Sequence, residues 1–490
     1  MIMKNISIWT EEKQNTVCNS LHENLLLDVL IIGGGITGIS AAYQLKNSGL
    51  NIALVEKNTI GMGVTSKTTG KLTYLQENIY TKIKKYHGLD KAKLYLESQI
   101  DAINLVKNII SKENINCDFQ KVNSYLYTNY DNEKLIQEIN ILKELKVKLN
   151  YASSLPDKTK VNNAVFIEDS YVFHPLKYLY ALKNKCLNSK VRIFENSKVT
   201  SIHQENNLYI CKIGENFIKA KYVILALHYP YFLIPFWFPL KTSIEKSYIK
   251  AFKVNQNDYF NAITISKPIT SLRYHSDKNQ NYKIELTNSH ISCTKYNEQE
   301  NFNALLKSQN SPDYIWSNMD IMTDDALPFI GAIDKTNTLL IATGYNTWGM
   351  TNGSIAGKIL ADIITKKSNK YLALFNPLRK INIGKMLNFP IVLGCNTCSF
   401  IKSKIKKQKP WYPDNVRFEK RNGDNIAIYI DENKKEHIVY NLCPHMKCSL
   451  IFNVVEKTWD CPCHGSRFDI DGNSIEGPSN YNITYPKKNL

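Results

Sequence analysis

DVLIIGGGITGISAAYQ, residues 28–44, is the stretch that decides the fold of this chain. Its apolar residues 29–32 predict a buried strand, and the residues after the glycines have the apolar spacing of a helix. Between the two, Gly33, Gly35 and Gly38 follow the pattern G-x-G-x-x-G. The first glycine lets the strand turn sharply, the second lets backbone approach a pyrophosphate, and the third lets helix and strand pack closely. The pattern predicts a dinucleotide site at the start of the helix.

A second strand and an acidic residue stand at the distances that such a site requires. Residues 51–55 are apolar in the manner of a strand, and Glu56 follows them. A carboxylate at that point can accept hydrogen bonds from the ribose of an adenosine. A glycine-rich turn without a ligand is the alternative, and the strand, helix and acid together favour the dinucleotide site.

The length and charge of the chain limit the classes of function. With 490 residues, the chain is expected to form two or three domains. The formal net charge of +18 comes mainly from lysines spread along the sequence, without an arginine cluster or zinc-finger spacing. We interpret the charge as a solvated basic surface and predict no binding of nucleic acid. The densest basic run, residues 401–410, is interpreted as part of a linker.

The sequence predicts neither an export signal nor a membrane span. Residues 1–14 lack the apolar core of a signal peptide, so we expect a cytoplasmic protein. Residues 222–240 are apolar, but Pro230, Pro235 and Pro239 interrupt them. A strand followed by an aromatic loop is therefore predicted there in place of a transmembrane segment.

The cysteines concentrate near the end of the chain. Six of the eleven lie between Cys395 and Cys463, and clustered cysteines in a cytoplasmic protein indicate metal or redox chemistry before structural disulfides. The motifs C-P-H at residues 443–445 and C-P-C-H-G-S at residues 461–466 each combine cysteine with histidine. Zinc accepts two thiolates and two imidazoles as well. A zinc finger, however, places both histidines on one helix, whereas each loop here supplies one.

Residues 411–490 resemble the Rieske [2Fe–2S] proteins in both motifs and in the tail GSRFDIDGNSIEGPSNYNI. The resemblance implies a cluster with two thiolate ligands on one iron and two imidazole ligands on the other. The implied ligands are Cys443 and Cys461 for the first iron and His445 and His464 for the second.

The same resemblance implies a disulfide that clamps the two cluster loops. Cys448 and Cys463 stand where the higher-potential Rieske proteins have one, and two free thiols are the alternative in a reducing cytoplasm. Ser466 is placed to donate a hydrogen bond to a bridging sulfide. Lys447 occupies a position where glycine is usual.

From residue 28 to about residue 379, the chain resembles the D-amino-acid-oxidase and glycine-oxidase class of FAD-dependent oxidoreductases. Six segments carry the resemblance: IIGGGITG (31–38) with Glu56, the loop 61–73, FHPLKYL (173–179), KYVILALHYP (221–230), DDALPFIG (324–331) and ATGYNTWGMTNG (342–353). It implies an α/β (α+β) fold: a discontinuous Rossmann-like FAD domain with an antiparallel sheet on the substrate side. The Rieske segment would add a small all-β C-terminal domain.

The resemblance also implies which residues contact FAD. Val199 should lie by the adenine, and residues 344–351 should line the flavin pyrimidine, where backbone N–H groups stabilise the negative charge of reduced flavin. The predicted FAD-binding residues are Gly33, Gly34, Gly35, Ile36, Thr37, Gly38, Glu56, Lys57, Thr65, Ser66, Val199, Gly344, Gly349, Met350 and Thr351.

Substrate-binding residues are predicted from residue type alone. Arg273 is a candidate for holding a carboxylate bidentately, and Tyr248, His290 and Trp348 are candidates for the pocket wall. His228 stands where many relatives have an alanine-threonine-glycine turn. It is either a neighbour of the flavin or a loop residue, and we favour the loop residue. No catalytic base is predicted.

These resemblances divide the chain into four parts. They are an N-terminal extension (1–27), the flavin oxidoreductase domain (28–372), a linker (373–410) and the Rieske domain (411–490). Within the flavin domain, the FAD-binding parts are about 28–85, 165–235 and 315–372, and the substrate-side parts are about 86–164 and 236–314.

The fusion of two redox domains predicts a dehydrogenase. Flavin accepts electrons in pairs and a Rieske cluster carries one at a time, so electrons would enter at FAD and leave through the cluster. The expected substrate is a small amine or amino-acid-like molecule, and the acceptor is a protein, a quinone or O₂. The alternatives are a flavin oxidase that reduces O₂ directly, with a structural or regulatory cluster, and a non-enzymatic redox shuttle or sensor.

Overall fold

The structure is a computed structural model, and it describes most of the chain. The described residues are 3–14, 16–130, 132–229, 241–255, 258–277, 280–291, 298–306, 310–380, 413–445, 447–463, 465–479 and 481–486. His464, the cysteines at 395 and 398, most of the predicted linker and the predicted aromatic loop from residue 230 lie outside these ranges.

An eight-stranded sheet, the flavin sheet, forms the centre of the first domain. Its main path runs β16-β17-β10-β1-β2-β7, with β9 paired to β10 and β8 to β9. The pairs among β17, β10, β1, β2 and β7 are parallel. Its strands are β1 (Leu25–Ile32), β2 (Ile52–Val55), β7 (Arg192–Phe194), β8 (Val199–Glu205), β9 (Leu208–Ile213), β10 (Asn216–Leu225), β16 (Phe329–Ala332) and β17 (Leu339–Thr343).

A nine-stranded, largely antiparallel sheet, the substrate-side sheet, stands beside it. Its order is β15-β11-β14-β13-β12-β4-β6-β3, with β5 on β6 and only the β4–β12 pair parallel. Its strands are β3 (Lys71–Leu72), β4 (Gln120–Thr128), β5 (Asn150–Ser154), β6 (Lys160–Val172), β11 (Thr242–Val254), β12 (Phe260–Thr264), β13 (Ser271–Asp277), β14 (Gln280–Ile291) and β15 (Tyr314–Thr323).

Helices cover both sheets. The α-helices are α1 (Ile36–Leu45), α2 (Ile79–His87), α3 (Leu89–Glu113), α4 (Glu133–Glu144), α5 (Pro175–Asn188), α6 (Glu298–Leu306), α7 (Gly349–Ile364) and α8 (Leu372–Phe375). Short 3₁₀-helices span Ile8–Glu11 and Val64–Lys67. Helices α1 and α7 pack closely, because a Cβ at Gly357 would lie 2.6 Å from the backbone nitrogen of Ala41. Within the described ranges, no helix is both long and apolar enough to cross a membrane.

The C-terminal domain consists of two small antiparallel sheets around its own apolar core. Trp459 and Phe468 are completely buried in that core. The first sheet contains β18 (Val416–Arg421), β19 (Asp424–Ile430) and β20 (Glu436–Tyr440), and the second contains β21 (Ile451–Asn453), β22 (Thr458–Asp460), β23 (Arg467–Phe468) and β24 (Ser474–Glu476).

The fold class predicted from the sequence is confirmed by this architecture. The predicted βαβ unit is present as β1, α1 and β2, and residues 29–31 are completely buried, as expected for a central strand covered on both faces. The strands β13 and β14 pair antiparallel, from Ser271 with Leu286 to Asp277 with Gln280.

Candidate cofactor sites

A deep cavity, the flavin cavity, lies at the carboxyl ends of the parallel strands. Ile32 ends β1, Val55 ends β2, and Thr343 ends β17, and all three line this cavity of about 240 Å³. Ligands of open α/β sheets bind at that edge, where the strand order reverses. The helices α1 and α7 both begin there, so the positive ends of two helix dipoles face the same space.

Most of the predicted FAD-binding residues line the flavin cavity. They are Gly33, Gly34, Gly35, Ile36, Thr37, Glu56, Lys57, Thr65, Val199, Gly344, Gly349 and Met350. Three predicted residues do not line it. Gly38 is a packing residue, since a Cβ there would lie 1.9 Å from the carbonyl oxygen of Gly33. The hydroxyls of Ser66 and Thr351 donate to nearby carbonyl oxygens, at 2.9 and 3.3 Å.

The start of α1 fits the pyrophosphate of a dinucleotide. Gly35 is the N-cap and has no capping side chain, so first-turn N–H groups other than that of Ile36 remain available to an anion. A Cβ at Gly35 would meet only the Thr65 hydroxyl oxygen, at 3.2 Å, so the space above the glycine is open. The Thr65 hydroxyl accepts from the Ile36 N–H at 3.0 Å and holds the neighbouring loop against the helix.

Two backbone hydrogen bonds hold the Glu56 carboxylate in the wall of the flavin cavity. One carboxylate oxygen accepts from the Gly34 N–H at 2.8 Å, and the other accepts from the Asn58 N–H at 2.9 Å. A carboxylate has about four acceptor positions, so these two bonds leave capacity for the hydroxyls of a ribose.

His228 lies in the loop after β10 and lines the flavin cavity, which favours the alternative that it is a neighbour of the flavin. Burial lowers the pKa of His228 to about 4, which makes its imidazole neutral near pH 7. Its backbone carbonyl accepts a hydrogen bond from the Thr343 hydroxyl at 3.0 Å. The signal that could have found it is its position directly after β10, at the ligand-binding edge of the sheet.

A second cavity, the substrate-side cavity, adjoins the first and has a volume of about 60 Å³. Polar side chains from the substrate-side sheet and from the loop before α2 form much of its wall. They include Lys71, Glu77, Ser247, Ser271, Ser289, Asn318 and Asp320. Among the predicted substrate residues, Trp348 lines this cavity.

Arg273 lies outside both cavities, contrary to its predicted role in carboxylate binding. Its side chain is buried, and one terminal nitrogen donates to the carbonyl oxygens of Thr69, Gly70 and Phe173 at 2.8, 2.9 and 3.0 Å. These bonds use the guanidinium to hold a loop on the sheet. Arg273 is therefore a structural residue.

Tyr248 and His290 also lie away from both cavities, contrary to the prediction. The Tyr248 hydroxyl is 3.2 Å from Nε2 of His290, and the Tyr248 ring packs on Phe302 of α6. The side chain of Tyr248 points to the opposite face of β11 from that of Ser247, because successive side chains of a strand alternate between faces.

The two cysteine–histidine motifs lie on adjacent loops at one end of the small domain. Cys443 and Cys461 are buried and lie outside the disulfide, and His445 is exposed. The Cys443 N–H donates to the Cys448 carbonyl at 2.9 Å, and the Cys461 N–H donates to the Ser466 carbonyl at 2.7 Å. These bonds close each loop around its cysteine. The three described residues remain the predicted ligands together with His464.

A disulfide joins the two loops, as the resemblance implied. It links Cys448 and Cys463, and both are buried. Ser466 is completely buried, and its hydroxyl oxygen accepts from the Ser479 N–H at 3.1 Å, which leaves its hydrogen for a donor contact with a cluster sulfide. Lys447 has a φ of +57°, the left-handed conformation that explains why glycine is usual there.

Removing the disulfide is expected to destabilise the small domain. The bond closes a loop of 15 residues, for which chain entropy predicts a contribution of ~3 kcal/mol. The double variant Cys448→Ser, Cys463→Ser should therefore lose its cluster absorbance at lower denaturant concentration. Its cluster should also have a lower reduction potential, because the loops would be less constrained. Two free thiols found by mass spectrometry in air-handled, cluster-loaded protein would contradict this role.

Two family models match this chain. The model described as FAD dependent oxidoreductase matches residues 28–274, and that described as Rieske [2Fe-2S] domain matches residues 403–486. The chain belongs to the FAD-dependent oxidoreductase family and carries a Rieske domain after its flavin domain. Its cofactors are accordingly FAD and a Rieske [2Fe–2S] cluster.

Individual relatives share this architecture in whole or in part. YhfW of Bacillus subtilis (strain 168), which is described as a Rieske 2Fe-2S iron–sulfur protein, is 31% identical over 482 residues. The match covers 94% of this chain and 93% of YhfW. The oxidoreductase OrdL of Haemophilus influenzae is 24% identical over 414 residues, and the match covers 80% of this chain and 92% of OrdL. Glycine oxidase from Geobacillus kaustophilus has a TM-score of 0.61 at 15% identity, covering 73% of this chain and 100% of that structure, a likeness in fold.

Proposed function

We propose that this protein is an FAD-dependent dehydrogenase that oxidises a small amine or amino-acid-like substrate. Its electrons would pass through the Rieske cluster to a separate acceptor. The observation that carries the proposal is the position of the small domain, whose residues Ile475, Glu476 and Gly477 form part of the wall of the flavin cavity.

Charged side chains hold the small domain against the flavin domain. The Lys57 ammonium donates to the Ile475 carbonyl at 2.7 Å, and the Lys67 ammonium lies 2.8 Å from the Glu476 carboxylate. The side chain of Glu476 is only 9% exposed. Burial would raise its pKa, but Lys67 and Arg467 hold the pKa of Glu476 down at about 2, so it remains charged.

A second set of contacts joins strands β11 and β15 of the flavin domain to residues 456–460 of the small domain. The Lys246 ammonium is 3.3 Å from the Asp460 carboxylate, with side chains only 4% and 8% exposed. The Ser317 hydroxyl donates to Glu456 at 2.7 Å. Breaking a buried ion pair on one side leaves an uncompensated charge, so these contacts favour a docked small domain.

The cluster loop and the cavities lie on opposite faces of one pair of strands. Asn318 and Asp320 of β15 line the cavities, whereas the Met319 sulfur lies 3.1 Å from the position of a Cβ on Gly465. Gly465 follows the predicted ligand His464 in the sequence. The separation between the flavin cavity and the cluster loop is therefore one strand thick, which supports electron transfer within the docked chain.

Each part of the proposed reaction has a chemical task. FAD, when bound, would act as the hydride acceptor, taking two electrons together with one proton from the carbon beside the substrate nitrogen. The chain binds and orients the substrate, and its small domain closes the cavity against water. We further propose that Cys443, Cys461, His445 and His464 hold the cluster that receives the electrons.

The test is anaerobic reduction of the purified holoprotein. Glycine, sarcosine, L-proline, butylamine and 1,4-diaminobutane are each mixed with it in the absence of O₂. A substrate is expected to bleach the flavin absorbance and then to produce the paramagnetic signal of the reduced cluster. Rieske potentials lie roughly between −150 and +300 mV, so this transfer is expected to be downhill.

Two controls make the result specific. Protein stripped of FAD should give no cluster signal with the same compound, although dithionite should still reduce its cluster. Flavin bleaching with a cluster that stays oxidised would contradict the proposal. Rapid reoxidation by O₂ in that case would identify an oxidase with a structural cluster.

A further inference from the structure

The substrate-side cavity has an acidic wall. Glu245 of β11 and Asp320 of β15 are directly paired across the two strands, and Asp320 lines the cavity. Glu77 lines it from the loop before α2. Like charges placed opposite each other in a sheet are destabilising. This pair therefore favours a bound cation.

The lysines of the same wall are engaged elsewhere. Lys67 is paired with Glu476 of the small domain at 2.8 Å. Lys71 donates to the Ala262 carbonyl at 2.9 Å and to the Ser271 hydroxyl at 2.6 Å. Burial lowers the pKa of Lys71 well below its usual range, which reduces its positive charge at neutral pH.

Two buried acceptor atoms in the next cross-strand pair have no partner among the described residues. They are the hydroxyl oxygen of Ser247 and the amide oxygen of Asn318, in side chains of residues only 4% and 5% exposed. Both residues line the cavity, and the Asn318 amide nitrogen donates to Asp320 at 2.9 Å. Buried polar atoms are normally paired, so these two indicate a bound ligand, and the Asn318 amide oxygen, which can only accept, requires a ligand that donates.

We infer that the substrate-side cavity binds the ammonium end of an amine substrate, through Asp320, Asn318 and Ser247, and excludes a carboxylate there. An ammonium group has three donors and no acceptor, which matches a carboxylate, an amide oxygen and a hydroxyl. Arg273, the donor that a carboxylate would need, is used by backbone carbonyls. The inference rests on the proposed function, because it identifies the substrate class of that reaction.

The titration of Asp320 is consistent with this assignment. Burial, and next the charges of Glu245 and Glu476, raise the pKa of Asp320 to about 7. A bound cation favours the ionised carboxylate. Binding of an ammonium group is therefore expected to strengthen as the pH rises from 6 to 8, because Asp320 then loses its proton. Lys67, Lys71 and Glu77 are the other charged groups on this cavity wall.

The experiment compares two probes of equal chain length on the anaerobic, FAD-loaded full chain. They are 1,4-diaminobutane and 4-aminobutanoate, and binding is measured by calorimetry and by perturbation of the flavin spectrum. The diamine should bind at least about tenfold more tightly. Asp320→Asn keeps the shape of the side chain and should weaken diamine binding on the order of 30-fold. The matched control, Asp169→Asn, removes a 74% exposed carboxylate from the same sheet and should leave the affinity for the diamine unchanged.

Failure of this inference is distinct from failure of the proposed function. Equal or tighter binding of 4-aminobutanoate, no binding of the diamine, or an Asp320→Asn variant with unchanged diamine affinity would overturn the inference. Cluster reduction by glycine in such a protein would leave the dehydrogenase proposal intact. Tight diamine binding that depends on Asp320, without any reduction of the cluster, would support the cation site and contradict electron transfer.

Discussion

Replacing Cys461 by alanine is expected to abolish the [2Fe–2S] cluster while FAD remains bound. Cys461 is buried, and it and Cys443 are the cysteines of the described small domain that lie outside the disulfide of Cys448 and Cys463. Among the described residues of this domain, no third cysteine outside the disulfide can therefore replace the lost ligand. Iron should fall from about two per chain to near zero, with loss of acid-labile sulfide and of the paramagnetic signal.

The matched control for this variant is Cys211→Ala. Cys211 is also a buried thiol, but it lies in β9 of the flavin sheet. Its removal should leave the iron and sulfide content unchanged. FAD content, measured after release by heat, should be normal in both variants, because the predicted FAD contacts all belong to the large domain. Wild-type iron in Cys461→Ala, or zinc without sulfide in the native protein, would contradict the ligand assignment.

Substituting Gly35 by glutamate is expected to prevent FAD binding and leave the cluster intact. Gly35 is the N-cap of α1, and the cavity above it is where the pyrophosphate would lie. A carboxylate beside a phosphate costs several kcal/mol, so affinity should fall at least about a hundredfold. Equilibrium binding of FAD to deflavinated protein measures this loss. The dithionite-reduced cluster signal should persist, whereas substrate should no longer produce it.

Two alanine substitutions, at Gly35 and at Gly38, show whether the loss of FAD affinity comes from the new carboxylate or from a damaged flavin domain. In Gly35→Ala the new Cβ meets only the Thr65 hydroxyl oxygen at 3.2 Å, so the fold should be kept and FAD affinity should fall much less. In Gly38→Ala the Cβ would lie 1.9 Å from the Gly33 carbonyl oxygen, so the flavin domain itself should be destabilised. Normal FAD affinity in Gly35→Glu would contradict the placement of the pyrophosphate.

Local motifs were sufficient to predict both cofactors and the fold class. The glycine turn at Gly33 and the acid at Glu56 belong to one βαβ unit, whose geometry depends on residues close in sequence. Each cluster loop likewise carries its cysteine and histidine within four residues, as Cys461 and His464 do. Such segments encode their own backbone conformation, and for this reason they are recognisable without knowledge of the rest of the chain.

The substrate-side predictions depended on information that residue types do not carry. Arg273 has the right chemistry for a carboxylate, but three backbone carbonyls occupy one of its nitrogens. Tyr248 is one residue from Ser247, and that single step places the two side chains on opposite faces of β11. Only the register of the sheet distinguishes the residue that lines the cavity from the one that packs beneath α6.

The sequence by itself determined that this chain binds a dinucleotide and carries an iron–sulfur domain, because those motifs are local. The tertiary structure alone decided the acidic wall of the substrate-side cavity and the docking of the small domain. Glu245 meets Asp320 through the pairing of β11 with β15, and Lys67 meets Glu476 across more than 400 residues. Such contacts arise from strand pairing and domain packing between distant segments, and no short stretch of sequence specifies them.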